Sequence, residues 1–214
     1  MADLTPLLAF RWSPRAFDPA ATLTADEAAS LLEAARWAPS AGNGQPWRFA
    51  LGHRDDETWK RILVNLPDDD QPWARHAAAL LLGAHLTALG AAGTGTGTGT
   101  GTGIGTGEAG TDTGTAADAA GTGARAAAAG AAYDLGQAVA HLTVQATALG
   151  LYVRQLAGFD HAGLAADLDL PAGVRPLVVV AVGRLGDPSS LPVALREQET
   201  GLRRRRPVAD LLLR

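Results

Sequence analysis

Ala34-Ala35-Arg36-Trp37-Ala38-Pro39-Ser40-Ala41-Gly42-Asn43-Gly44-Gln45-Pro46-Trp47-Arg48-Phe49 is the stretch that decides how the chain folds. It begins as the end of an amphipathic helix and finishes as the start of an aromatic strand. The ten residues Ala38 to Trp47 keep neither helical nor strand periodicity. Gly42 and Gly44 permit positive φ and close backbone approach. Pro39 and Pro46 stiffen the two ends, and Pro46 biases Gln45 away from helix. Ser40, Asn43 and Gln45 offer donors and acceptors suited to a flat, polar ligand.

Working outward, Thr24-Ala25-Asp26-Glu27 is a capping box, with Leu23 placed to staple onto Ala28. Ala28, Leu31, Leu32 and Ala35 mark the apolar face of the helix that follows. Upstream, Thr5-Pro6 suits a short helix ending near Arg11. Downstream, Trp47 to Leu51 alternates as a half-buried strand, and Asp55 to Leu66 carries Trp59, Ile62, Leu63 and Leu66 at helical spacing. Pro67-Asp68-Asp69-Asp70 breaks that helix, and Trp73 to His85 reads as a helical turn leading into a buried strand. Leu135, Val139, Leu142, Ala146 and Leu149 form the stripe of a long helix from Tyr133, stopped by Gly150. Leu151 to Leu156 is strand-like, Asp160 caps a short helix, and Leu177 to Val182 is a strand buried on both faces. Pro188 to Arg214 reads as an extended tail with little core of its own, which would pack on a second copy of the chain.

Between these elements the composition collapses. Gly93 to Gly107 is Gly-Thr alternation broken only by Ile104, and Glu108 to Gly130 continues in Gly, Ala, Thr and Asp. Such a stretch buries little and opposes order, so a flexible excursion is expected at about 91–132. The 214 residues otherwise fit one domain, 1–214, of α+β class.

Composition excludes several functions. A formal net charge of −4 argues against general nucleic-acid binding, despite the Arg203-Arg204-Arg205-Arg206 run. No apolar stretch reaches membrane-spanning length, and Met1-Ala2-Asp3 lacks the basic and apolar start of a secretory signal. The absence of cysteine removes disulfides, thiolate metal sites and thiol catalysis, and makes a cytoplasmic protein the expectation. His53, His76, His85, His141 and His161 show no metal-ligand spacing, so no metal is expected. Ser13 and Ser40 lack a motif for nucleophile activation.

Three motifs remain. Arg11-Trp12-Ser13-Pro14-Arg15, Pro39 to Trp47, and Arg203 to Pro207, together with Gly150-Leu151 and Gly158-Phe159-Asp160, resemble the nitroreductase family of FMN-dependent oxidoreductases. The matches keep the family's order from Phe10 to Pro207, and only the segment from about Ala91 to Ala132 has no counterpart. The resemblance implies a central mixed sheet flanked by helices, with a C-terminal extension packing on the partner subunit. It implies a homodimer with FMN at the subunit interface, passing hydride from NAD(P)H through flavin N5 to a small-molecule acceptor such as a nitroaromatic or quinone.

By the same resemblance, Arg11, Arg203 and Arg205 would grip the FMN phosphate beside Trp12, with Ser13 donating to the phosphate or ribityl chain. Arg204 and Arg206 would face away. Arg15 would lie near N1 and the C2 carbonyl, where a fixed cation favours the reduced ring. Pro39, Ser40, Ala41 and Asn43 would reach the flavin from the other subunit. Ala157 and Gly158 would offer backbone to N5 and the C4 carbonyl, and Asp134 would face the ring. No side chain need be catalytic, because the flavin carries the reaction.

The family's Asn-x-x-Trp is here Asp70-Gln71-Pro72-Trp73, so a carboxylate stands where an amide touches the pyrimidine edge. That acid would oppose negative charge on the reduced ring. Two alternatives therefore stay open: a specialised flavin reaction such as dehalogenation or flavin breakdown, and a flavin-holding protein with poor turnover.

Overall fold

The computed structural model describes residues 3–87 and 116–213, with backbone alone for 116–126. Its elements, in chain order, are α1 (Pro6–Ala9), α2 (Ala25–Arg36), β1 (Trp47–His53), α3 (Glu57–Val64), α4 (Gln71–Ala74), β2 (Ala79–Leu86), α5 (Ala116–Ala148), β3 (Tyr152–Leu156), α6 (His161–Asp167), β4 (Val174–Gly183) and α7 (Val193–Thr200). The strands form one sheet in the order β1-β2-β4-β3.

Strand periodicity sorts the core into two layers. Leu81 of β2 and Val180 and Val182 of β4 point to one face, where they meet Leu31 and Ala35 of α2 and Leu135, Val139 and Leu142 of α5. Leu80, Leu82, Val179 and Ala181 point to the other, against Trp59 and Ile62 of α3, Trp73 of α4 and Leu164 of α6. Helices thus cover both faces of the sheet, which accounts for the unbroken apolar runs in β2 and β4. Gly52 is required where α3 starts, since a Cβ there would sit 2.2 Å from the Trp59 nitrogen.

Local signals work as their chemistry dictates. Thr24 accepts from the Glu27 N–H while the Glu27 carboxylate accepts from the Thr24 N–H. Asp56 caps α3 through the Trp59 N–H, and Asp160 caps α6 through the N–H groups of Ala162 and Gly163. Gly150 has a φ of 69°, the left-handed stop expected after α5. Thr5 precedes α1 but makes no side-chain cap bond.

Three expectations need correction. All described strand pairs are antiparallel, so the sheet is not mixed; β2 and β4 are buried by helices on either side rather than by parallel crossover topology. Residues 116–132, taken with the flexible excursion, are the first half of α5. Their alanine content gives strong helix propensity, and they extend a helix already anchored by Leu135 and Leu142. The rest of the excursion, 91–115, lies outside the described residues. The tail is not uniformly extended either: α7 forms, and Leu191 and Leu195 join the core layer around Trp73.

Candidate functional site

Two groups of predicted site residues can be built from the chain. The first surrounds the segment Arg11–Ala16. Arg11 donates to the Ser13 hydroxyl at 2.7 Å. Arg203 donates to the carbonyl oxygens of Ala9, at 2.6 Å, and Arg11, and its guanidinium lies 5.8 Å from the centre of the Trp12 ring. Burial, and then the neighbouring Arg203 and Arg205 charges, push the Arg11 guanidinium below its ordinary pKa. Among the described residues no carboxylate forms an ion pair with any of these three arginines.

Of the run, Arg203 touches Arg11 through its carbonyl, and the charges of Arg203 and Arg205 bear on the Arg11 guanidinium. Arg203 is already engaged with two carbonyls, whereas among the described residues Arg205 donates only to the Arg204 carbonyl. The tail is held in place by Glu199 of α7. Its buried carboxylate, 5% exposed, accepts from the N–H groups of Arg15, at 2.8 Å, and Ala16, at 3.1 Å. Arg15 donates to the Gln198 side chain, and its buried Nε has no partner among the described residues.

Asp70 belongs to the same group. It stands at the start of α4, and its Oδ1 accepts from the Trp73 indole N–H at 3.0 Å. Ala157 and Gly158, at the exposed end of β3, form the turn into α6. A Cβ added to Gly158 would meet no atom within 4 Å, so nothing in the fold requires glycine there. His161 stands between the carbonyls of Ala157 and Pro176, 3.1 Å from each, and stacks on Phe159, which fixes this turn.

The second group is the Pro39–Gln45 loop. It is wound tightly, with positive φ at Gly42, Asn43 and Gln45, and a 3-10 turn over Ala41–Asn43. The Ser40 hydroxyl accepts from the Gln45 N–H at 3.0 Å, and the Gln45 amide donates to the Asn43 side chain. Asp134 of α5, 4% exposed, accepts from the Ala41 N–H at 3.1 Å. Its carboxylate therefore holds the loop from beneath. No hydrogen bond among the described residues joins this loop to the arginine group.

The comparisons with known proteins bear on the family and the fold. A model of the Nitroreductase family matches residues 8–184. The chain belongs to the nitroreductase family. Among solved structures, an oxidoreductase containing FMN is 30% identical, with a TM-score of 0.75, over 99% of this chain and 91% of that one. An uncharacterised 15.4 kDa protein of Mycolicibacterium smegmatis is 44% identical over 35% of this chain and 50% of its own length. The oxygen-insensitive NAD(P)H nitroreductase of Salmonella typhimurium is 35% identical over 25% of each. The nitroreductase-family chain thus spans half and a quarter, respectively, of these two curated relatives.

Sequence reasoning missed two residues of this candidate site. Glu199 follows Leu195 at four-residue spacing within α7, which puts it on the buried face of that helix. Arg154 lies in β3 between Tyr152 and Leu156, a charge on a strand face that is otherwise apolar. It donates to the Ser13 carbonyl at 2.9 Å. Among the described residues no cluster of His, Asp and Glu could hold a metal, and no described helix is long and apolar enough to cross a membrane.

Proposed function

We propose that this nitroreductase-family protein is an FMN-dependent NAD(P)H oxidoreductase. The observation that carries the reading is the gathering of Arg11, Arg203 and Arg205 with no counter-ion among the described residues, Arg203 bonded to the Arg11 carbonyl and both neighbours depressing the Arg11 pKa. Like charges held together in a partly desolvated place suit a dianion, and guanidinium is the group best shaped for phosphate. The partnerless, buried Nε of Arg15 is a second fit, a donor waiting for an acceptor such as a ring carbonyl.

Bound FMN would supply the hydride relay, from NAD(P)H to an electron-poor acceptor such as a nitroaromatic or quinone in ping-pong turnover. The protein's part is to bind and orient. Arg11 and Arg205 would hold the phosphate beside Trp12, and Arg203 would hold the Arg11 segment by its carbonyls. Ser13 would add a hydroxyl to the phosphate or ribityl chain. Arg15 would favour charge developing near N1 and the C2 carbonyl, and the Ala157-Gly158 backbone would serve N5 and the C4 carbonyl. Zero cysteine suits a reducing cytoplasm as the setting.

The same reading makes the protein a homodimer, with Pro39, Ser40, Ala41 and Asn43 serving the flavin of the partner. Two features support it: among the described residues the loop has no hydrogen bond to the arginine group of its own chain, and large apolar residues are exposed. Leu7, Leu8, Phe10, Leu202, Val208 and Leu211 are all exposed, Phe10 to 75%. The C-terminal extension would cover such surface on the second subunit.

The decisive experiment is a visible spectrum of the purified protein, followed by NAD(P)H oxidation with a quinone and a nitroaromatic as acceptors. Flavin absorbance at one per chain with acceptor-dependent oxidation is expected. Protein that is colourless after incubation with excess FMN and removal of the unbound flavin would sink the reading. Sedimentation with and without FMN tests the shared site, and stoichiometric FMN binding by a monomer would remove it.

A further inference from the structure

Arg154 has no role in the assignments so far, yet it bridges the Ser13 segment and Trp73. It occupies the face of β3 that packs on Trp73, and its guanidinium lies 5.4 Å from the centre of that ring. One guanidinium nitrogen donates to the Ser13 carbonyl, at 2.9 Å. The indole N–H of the same Trp73 donates to Asp70 Oδ1 at 3.0 Å. A single tryptophan therefore carries a cation on its face and a carboxylate at its nitrogen.

The charges feel one another. Burial, and then the Arg15 charge, lower the Arg154 pKa, while Asp70 and Glu199 act to raise it. No ion pair closes among the four groups in the described residues. Two cations and two anions thus share a partly desolvated space at longer range, where their fields act on whatever lies between them.

Resting on the FMN reading above, we propose that Arg154 is a positioning residue with two duties. It holds the Ser13 carbonyl, and with it the Arg11–Arg15 segment. It also offsets the Asp70 charge, which stands where the family uses a neutral amide and would otherwise oppose negative charge on the reduced ring. On this account Asp70 and Arg154, joined through Trp73, present a dipole rather than a net charge. The acid at Asp70 then ceases to be a reason to expect poor turnover.

The test compares the affinities of the apoprotein for oxidised and reduced FMN, a ratio also read as the midpoint potential of the bound flavin. Arg154→Gln keeps an amide donor for the Ser13 carbonyl but removes the charge, and should lower the reduced-to-oxidised affinity ratio on the order of ten-fold. Asp70→Asn should raise it by a similar factor, and the double variant should return close to wild type. Arg154→Lys keeps the charge and should leave the ratio near wild type.

Equal weakening of both redox states by Arg154→Gln would reduce the residue to a structural tie and overturn the charge role. A shift in the same direction as Asp70→Asn would overturn it too. Should Arg154→Gln fail to fold, Asp70→Asn and Arg154→Lys still decide: a ratio unmoved by Asp70→Asn, or lowered by Arg154→Lys as if the charge had gone, overturns the proposal. Wild-type protein that takes up no FMN overturns the functional reading and this inference with it. Wild-type protein that binds FMN while the ratio stays fixed across the set overturns this inference alone.

Discussion

Asp134 and Glu199 make the same kind of contact at opposite ends of the candidate site. Each is a carboxylate almost sealed from water, and each accepts backbone N–H groups from a segment with no regular structure to satisfy them. The surroundings differ. Asp134 rises from a helix of 33 residues and supports a loop whose other polar groups are largely bonded to one another. Glu199 sits on a helix of eight residues and supports a segment crowded with cations lacking counter-ions. One carboxylate finishes a loop that already holds its own shape; the other assembles a cluster of cations whose shape depends on it. The first contact should therefore matter mainly for shape, and the second for both stability and binding.

Glu199→Ala should show the largest effect. It leaves the Arg15 and Ala16 N–H groups buried without acceptors, at about 1–3 kcal/mol for each. Urea unfolding of the apoprotein should record that loss, and FMN affinity should fall with it as Arg15 and the arginine run come free. Glu199→Gln keeps the acceptor oxygen and should recover most of the stability. An apoprotein unchanged by Glu199→Ala would break the comparison outright.

Arg205→Ala and Arg11→Ala should come next. Each should weaken FMN binding by about 1.5–3 kcal/mol, the scale of a lost hydrogen bond to a charged group. Arg204→Ala should be nearly silent, because only Arg203 and Arg205 bear on Arg11. Titration by flavin fluorescence measures all three, and equal losses would show a diffuse basic tail in place of a shaped site.

Asp134→Ala removes an acceptor from one N–H rather than two, and should cost about 1–3 kcal/mol of stability. The expected signature is faster amide exchange at Ala41 through Gln45, with the arginine group undisturbed. Exchange that quickened equally at Arg15 and Ala16 would show that the two supports are not separate.

The smallest effect concerns acidity. Burial, and then the charges of Arg75 and Arg54, hold the His76 pKa below its ordinary 6.5. The folded form therefore binds a proton less readily than the unfolded chain, and stability declines as pH drops below about 6.5. His76 and Trp73 line a cavity of about 600 Å³ that α7 borders through Leu195, so this loss should fall on the Glu199 side. His76→Gln should flatten the decline between pH 7 and pH 5, roughly the span in which an ordinary histidine gains its proton. A decline unchanged by His76→Gln would assign it to other groups.

Much of the fold was legible because it follows from short-range rules. The capping box at Thr24, the apolar run of β4 and the Gly150 stop each depend on a few adjacent residues, and each appears where expected. The start of α5 was not legible. A window of Ala, Gly and Thr carries no apolar periodicity, and its helicity comes from joining a helix anchored further on. The motifs placed Arg11, Ser13, Arg15, Arg203 and Arg205 near one another in advance. They gave no sign of Arg154 or Glu199, whose partners lie 141 and 184 positions away.

That separation bears on how the protein comes into being. A chain made from its N-terminus releases the Arg11–Ala16 segment long before Glu199, which holds Arg15 and Ala16, and Arg203, which holds the Arg11 carbonyl, have left the ribosome. Closing so long a loop is entropically costly and slow to reward. The sheet and its two helical layers can settle well before then. Capture of a phosphate-bearing ligand would thus be among the last events of folding, and an aborted chain ending short of α7 should fold its core yet hold nothing.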